Sequence, residues 1–249
     1  PNMICGGDAS NRDTTDAPLW YFTACDDLMK AQGHKEILKK KVGERTVQEV
    51  LVSLAENYIA GTPNKIQVDA KSGLVYSPSH FTWMDTNYPA GTPRKGYPIE
   101  IQALWFKGLS LLAELTKEQQ WIDLAAKVQS SVIEFYWDEE RGFLSDCLHA
   151  AEFKEAKLAD ADDALRCNQL FAVTLGLVEG EVAKQVVLSS EELLVPGAIR
   201  SLGDRPVTYP LPVANDAGMH LNDQYKPFWG EYLGDEDTRR KPAYHNGTA

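Results

Sequence analysis

An all-α protein, with helical hairpins stacked into an α/α toroid, is what the sequence predicts, on three observations. Apolar residues recur at three- and four-residue spacing through consecutive segments. Short turn-rich links join those segments, so that neighbouring helices pair. Strand signals are sparse and do not alternate with helices, which argues against a parallel sheet.

The first helix starts near Asp16, which can cap it, and Pro18 lacks only a donor that a first helical turn leaves unpaired anyway. Leu19, Trp20, Phe22, Thr23, Ala24 and Leu28 keep helical spacing up to Gly33. Thr46 and Glu49 form a capping box before the stripe Val47, Val50, Leu51, Leu54, Ala55 and Tyr58, which Gly61 and Pro63 close. Short alternation from Ile66 to Tyr76 around Lys71-Ser72-Gly73 predicts a small β-hairpin.

From Pro98 the stripe Ile101, Leu104, Trp105, Leu109, Leu112 and Leu115 predicts a long helix. Thr116 with Gln119 then caps a second helix, carrying Trp121, Leu124, Ala125, Val128, Val132 and Phe135. Asp162 or Asp163 is expected to start a further helix through Leu165, Leu170, Val173 and Leu177, with a short one from Glu181 to Leu188 after it. Residues 203 to 246 are rich in Pro, Gly and aromatics, with no helical period, as expected of a long functional loop.

Composition narrows the function. A formal net charge of −11 over 249 residues repels phosphate backbones and anionic lipid surfaces, so neither nucleic acid nor membrane is an expected partner. No apolar run is long enough to cross a bilayer and the N-terminus has no signal-peptide pattern, which predicts a cytoplasmic protein. Cys5, Cys25, Cys147 and Cys167 are scattered, without C-x-x-C spacing, and read as reduced structural thiols. Neither a metal nor a cofactor is expected, since buried cysteines explain Cys147, His149 and Cys167 better than ligation does.

Two loop phrases carry the chemistry. In Ser79-His-Phe-Thr-Trp-Met-Asp85-Thr-Asn-Tyr-Pro-Ala-Gly-Thr-Pro-Arg94-Lys-Gly-Tyr-Pro-Ile-Glu100, a lone carboxyl sits among aromatics just before a helix bearing a second. Glycoside hydrolysis needs one protonated carboxyl for the leaving oxygen and one ionised carboxylate. Asp85 follows Trp83 and Met84, and apolar surroundings raise a carboxyl pKa as an acid requires. Its bland reading is an Asx turn before Asn87 and Pro89. Glu100 lies in a first helical turn, where the exposed amides favour a carboxylate whatever else it does.

This phrase, together with Trp229-Gly-Glu-Tyr-Leu-Gly-Asp-Glu-Asp-Thr-Arg-Arg-Lys-Pro-Ala-Tyr-His-Asn-Gly-Thr-Ala249, resembles the glucosidase domain of glycogen debranching enzymes of the prokaryotic type. The resemblance runs from about Asn11 to Ala249. It implies a six-hairpin glycosidase toroid and an exo-acting hydrolase that removes single α-1,6-linked glucose from branch stubs of glycogen or a related α-glucan. It further implies inversion, with Asp85 as general acid.

Asp16, Trp20, Trp83, Arg94, Glu100, Arg166, Asn168, Trp229, Arg239, Arg240 and His245 are then expected to contact substrate. Trp83 and Trp229, in loops, have a stronger claim than Trp105 and Trp121, which sit on apolar helical stripes. Capping remains the plain alternative for Asp16, and solvated ion pairing for Arg239 and Arg240. Cys167 stands where the family pattern has Pro.

The same resemblance marks residues 1–249 as part of a single catalytic domain truncated at both ends. The base is expected to be a Glu beyond Ala249, so the chain should bind better than it turns over. Another toroid glycosidase, trehalase- or invertase-like, and a non-catalytic glucan-binding module remain open alternatives, because fold does not set substrate.

Overall fold

The computed structural model describes residues 12–84, 92–214, 217–230 and 245–247. Six α-helices form the frame among these: α1 (Asp16–Gln32), α2 (Val47–Ala60), α3 (Ile99–Thr116), α4 (Gln119–Tyr136), α5 (Gln169–Thr174) and α6 (Gly180–Ser190). Helix α3 is the hub, packed against α1, α2, α4 and α5. Residues Ile99 to Trp105 are all buried, so its first two turns are surrounded on every side, as a central helix must be. Gly108 lets α1 pack close, since a Cβ there would lie 3.1 Å from the Phe22 ring.

Local signals held where they could act alone. Thr46 and Glu49 form the capping box, each side chain bonding the other's backbone N–H, and Gly33 ends α1 in the left-handed conformation. Asp16 does not cap α1: Thr15 holds the N-cap position, while the Thr14 hydroxyl accepts from Ala17 N–H at 3.2 Å and donates to Asp16 at 2.6 Å. Nor does Thr116 cap α4, whose N-cap is Glu118. The Thr116 hydroxyl instead donates to Leu112 O in the last turn of α3.

The fold is helix-rich rather than all-helical, because small sheets join the helices. These are hairpins β1–β2 (Lys41–Val42, Arg45–Thr46), β3–β4 (Gln67–Val68, Val75–Tyr76), β6–β7 (Trp137–Asp138, Phe143–Leu144) and β10–β11 (Leu194–Val195, Ala198–Ile199). The hairpin at residues 66–76 was legible in sequence. A three-stranded antiparallel sheet was not: it is ordered β5-β8-β9, from Gly96–Pro98, Cys147–His149 and Asp160–Ala161. Strands of two or three residues are too short to show a period.

Buried polar groups tie sheet to helix. Gln102 on α3 accepts from Val75 N at 2.7 Å and donates to the Val75 and Pro98 carbonyls at 3.0 Å each, and Tyr136 donates to Tyr97 O at 2.8 Å. Trp105 and Trp121 are core residues, with Trp105 Nε1 donating to Gly73 O at 3.1 Å. Gly96 admits no side chain: with φ +132°, a Cβ would meet Leu148 O at 2.1 Å. That close approach seats β5 on β8 and delivers Arg94 just ahead of it and Glu100 just after it.

The expected helix starting at Asp162 or Asp163 is shorter, Gln169–Thr174. Both aspartates serve tertiary bonds instead, which hold the preceding chain extended. Among the described residues no helix is long and apolar enough to cross a membrane, and no group of three or more His, Cys, Asp or Glu is placed to hold a metal ion. Cys25, Cys147 and Cys167 are free thiols, and burial pushes Cys167 up to about 11.

Candidate functional site

A buried charge network lies where β5, β8, β9 and the start of α3 and α5 converge. Arg94, only 3% exposed, sits at φ +41°, a backbone region that a bulky residue occupies only under constraint. The constraint is visible. Its guanidinium forks onto Glu100 at 2.5 and 2.6 Å, meets Asp146 at 2.7 and 3.1 Å, and donates to the Thr82 hydroxyl at 3.1 Å. Planar bidentate pairing of this kind suits arginine and no other side chain.

Asp146 is the second centre. It receives Asn168 Nδ2 at 2.7 Å and lies 3.5 Å from Arg166 Nε, while its own N–H donates to Asp162 Oδ1 at 2.9 Å. Burial pushes its carboxyl upward, but Arg94, Arg166 and Asn168 outweigh that and hold it below the usual carboxylate range. For Glu100 burial wins over the Arg94 fork and raises the pKa. The two carboxyls therefore differ in ease of ionisation because Asp146 has two arginines and Glu100 has one.

Arg166 carries the network to the second loop phrase. It donates to His245 O at 2.5 Å and to Asn246 Oδ1 at 2.8 Å, and its neighbour Asn168 accepts from Trp83 Nε1 at 2.9 Å. Trp83 and His245 meet edge to face with ring centroids 5.5 Å apart, and Thr92 Oγ1 lies 3.1 Å from His245 Nδ1. Burial, with Arg166 and Arg94 nearby, lowers His245 to about 3, so its ring is neutral at ordinary pH.

That depression has a sign. An unfolded His binds its proton below about 6.5, whereas here the folded ring resists it until about 3. The His245 contribution is thus fully present above about 6.5 and is lost as pH falls towards about 3. Denaturation midpoints measured across that window should drop with acid, and His245→Gln should flatten the slope; an unchanged slope would show that His245 is not the group responsible.

Two hollows adjoin this network. The larger, about 320 Å³, is lined by Arg94, Asp146, Arg166, His149, Asp162 and the Tyr209–Pro212 wall, with Thr92 and Asn246 among the remaining residues. The smaller, about 230 Å³, is lined by Asp13, Thr14, Asp16, Trp20, Thr82 and Trp83. Trp20 and Trp83 are 38% and 41% exposed, leaving ring surface available in a polar hollow.

The residues expected from sequence are placed differently from one another. Asp16, Trp20 and Trp83 share the smaller hollow, and Arg94 and Arg166 line the larger. Asn168 and His245 are buried connectors between them. Glu100, 1% exposed with both oxygens held by Arg94, stands behind the cleft and fixes that arginine. Trp229 is 48% exposed and lines neither hollow, although its N–H donates to Asn246 O at 2.7 Å. Asp85, Arg239 and Arg240 lie outside the described residues.

Sequence reading missed Asp146, Asp162 and His149. A signal was present: Asp146 is a lone carboxyl in the apolar run Phe143 to Leu148, and a charge in such a run must find a partner. His149 Nε2 pairs with Asp162 Oδ2 at 2.8 Å and its ring stacks on Tyr209 with centroids 4.3 Å apart.

This geometry defines a preorganised cleft on a helical frame, sized for one small ligand, with a mostly apolar wall and its charges fixed in advance. The sequence completes the assignment: residues 1–249 match the family described as Amylo-alpha-1,6-glucosidase, and the chain belongs to that family. No curated protein matches the sequence. Among solved structures it is similar to neutral trehalase Nth1 from Saccharomyces cerevisiae, at 19% identity and TM-score 0.38, over 43% of this chain and 22% of that one. It is also similar to a GH78 family rhamnosidase of Bacillus sp. GL1, at 16% identity and TM-score 0.48, over 70% of this chain and 17% of the other. The chain thus spans less than a quarter of either protein's length.

Proposed function

We propose that this chain carries the glucose-binding half of an exo-acting glycoside hydrolase, which removes single α-1,6-linked glucose from branch stubs of glycogen or a related α-glucan. One observation carries the reading. The two loop phrases, far apart in sequence, meet beside the cleft: Trp83 and Thr92 of the first contact His245, and Arg94 is linked to His245 and Asn246 through Asp146 and Arg166. Family membership supplies the reaction class.

Asp85 is the general acid in this reading. It follows buried Met84, whose carbonyl accepts from Thr92 Oγ1 at 3.0 Å, and Thr92 lines the larger cleft. Asp146 and Glu100 are committed to arginine, and Asp162 to His149 and two backbone N–H groups, so the activating base is sought outside these three. The tryptophans of the smaller hollow would stack on a sugar, while Arg94, whose donors are taken by Glu100, Asp146 and Thr82, would hold the buried carboxyls in place. The helical frame belongs, in the same proposal, to a single α/α-toroid catalytic domain acting on cytoplasmic glucan.

Free glucose assayed after incubation with a branched limit dextrin, trehalose and sucrose tests the reading in the protein that carries this chain. Release from the dextrin alone is expected. Release from trehalose or sucrose instead would move the protein to another substrate class, and glycogen binding with no release from any of them would make it a binding module.

A further inference from the structure

One wall of the larger cleft has a construction that its role as a mere loop does not require. Segment 207–213 contains five backbone N–H groups and two prolines, and every one of the five is satisfied. Val207 donates to Tyr225 O at 2.9 Å, Leu211 to Gln224 O at 2.9 Å and Val213 to Asn222 Oδ1 at 2.7 Å. Thr208 and Tyr209 donate to a single carboxylate, Asp163, at 2.8 to 3.0 Å, and the Thr208 hydroxyl adds a third donor at 3.0 Å. Arg141 Nη2 completes the shell at 3.2 Å. Pro210 and Pro212 need no acceptor, and their rings fix the backbone between the bonded residues.

The anchor is joined to the deep network by one peptide bond. Asp162 holds His149 and the Asp146 N–H, while Asp163 turns the other way and holds the wall. Burial raises the Asp163 carboxyl, yet the Tyr209 and Thr208 donors with Arg141 outweigh it and keep it ionised. Tyr209 is clamped from two sides, since its N–H is on Asp163 and its ring is stacked at 11° on His149, itself locked by Asp162. The cleft volume of about 320 Å³ lies at the small end for ligand sites and matches one sugar ring rather than a chain.

We propose that Asp163 is a positioning residue that fixes the Thr208–Pro212 wall in advance, and that Tyr209 on this wall determines specificity by admitting only a terminal glucose unit. The inference rests on the glucan reading above. Two variants and two measurements test it. In Asp163→Asn an amide NH₂ would face backbone donors, so hydrogen exchange at Thr208 and Tyr209 should accelerate while the global unfolding midpoint barely moves. Unchanged exchange would overturn the anchoring role.

Titration of the protein that carries this chain with methyl α-glucoside and with isomaltotriose reads the second part. Asp163→Asn and Tyr209→Ala should each weaken the glucoside by roughly tenfold and narrow the preference for it over the longer saccharide. Tyr209→Ala leaves every Asp163 bond to Thr208 available, so it reports on the wall even where Asp163→Asn fails to fold. Wild-type binding by Tyr209→Ala, with its preference intact, would overturn the specificity role. If the wild-type protein binds neither saccharide, the glucan reading itself fails and the inference falls with it.

Discussion

Replacing Arg94 by alanine should destabilise the protein by roughly 3–5 kcal/mol, because it leaves Glu100 buried without its cation and Asp146 with Arg166 alone. Glu100 and Asp146 are 1% and 2% exposed, so water cannot take the place of the guanidinium. Arg94 provides Glu100 with both of its side-chain hydrogen-bond donors and Asp146 with two of its donors, and it also bonds Thr82. Arg94→Lys should recover only part of the loss, since one ammonium cannot fork onto Glu100 and reach Asp146 together.

Denaturant unfolding gives the measurement, with an internal control. The Lys35–Glu114 pair is 55% and 56% exposed, and Lys35→Ala should cost no more than about 1 kcal/mol. An Arg94→Ala cost as small as that of Lys35→Ala would mean that the network is not what holds β5 against α3. The constrained φ at Arg94 would then lack its cause as well.

Asp85→Asn should lower glucose release from a branched dextrin by roughly 10²- to 10⁴-fold while leaving saccharide affinity and thermal stability near their wild-type values. Asparagine keeps the shape and most hydrogen bonds but has no acidic proton for the leaving oxygen. Just before it in sequence, Thr82 and Met84 are buried, Met84 sulfur lies 3.5 Å from Asn168 Nδ2, and Thr92 bonds Met84 O and lies 3.1 Å from His245 Nδ1. Steady-state rates on the dextrin decide it. Undiminished release by the variant would remove Asp85 from the mechanism, whereas a parallel loss of binding would make it a substrate ligand rather than the acid.

Much of this protein was legible because many of its signals are local. The Thr46–Glu49 box, the left-handed Gly33, the hairpin at 67–76 and the stripe of α3 each arise from residues a few positions apart, whose contacts exist as soon as the element forms. Where a local signal competed with a distant partner, the distant partner won. Asp162 and Asp163 read as helix starters, but His149 and Thr208 offer them tertiary bonds that a helix start would forgo.

The two phrases, and through them the family, were determined by the sequence alone, as were the helical frame and the aromatic character of the loops. Only the tertiary structure decided which charges meet. Arg94 pairs with Asp146 at 52 positions' separation, and Arg166 reaches Asn246 across 80. No periodicity encodes such pairs, because their strength comes from being desolvated together, and desolvation exists only once the whole chain has closed around them.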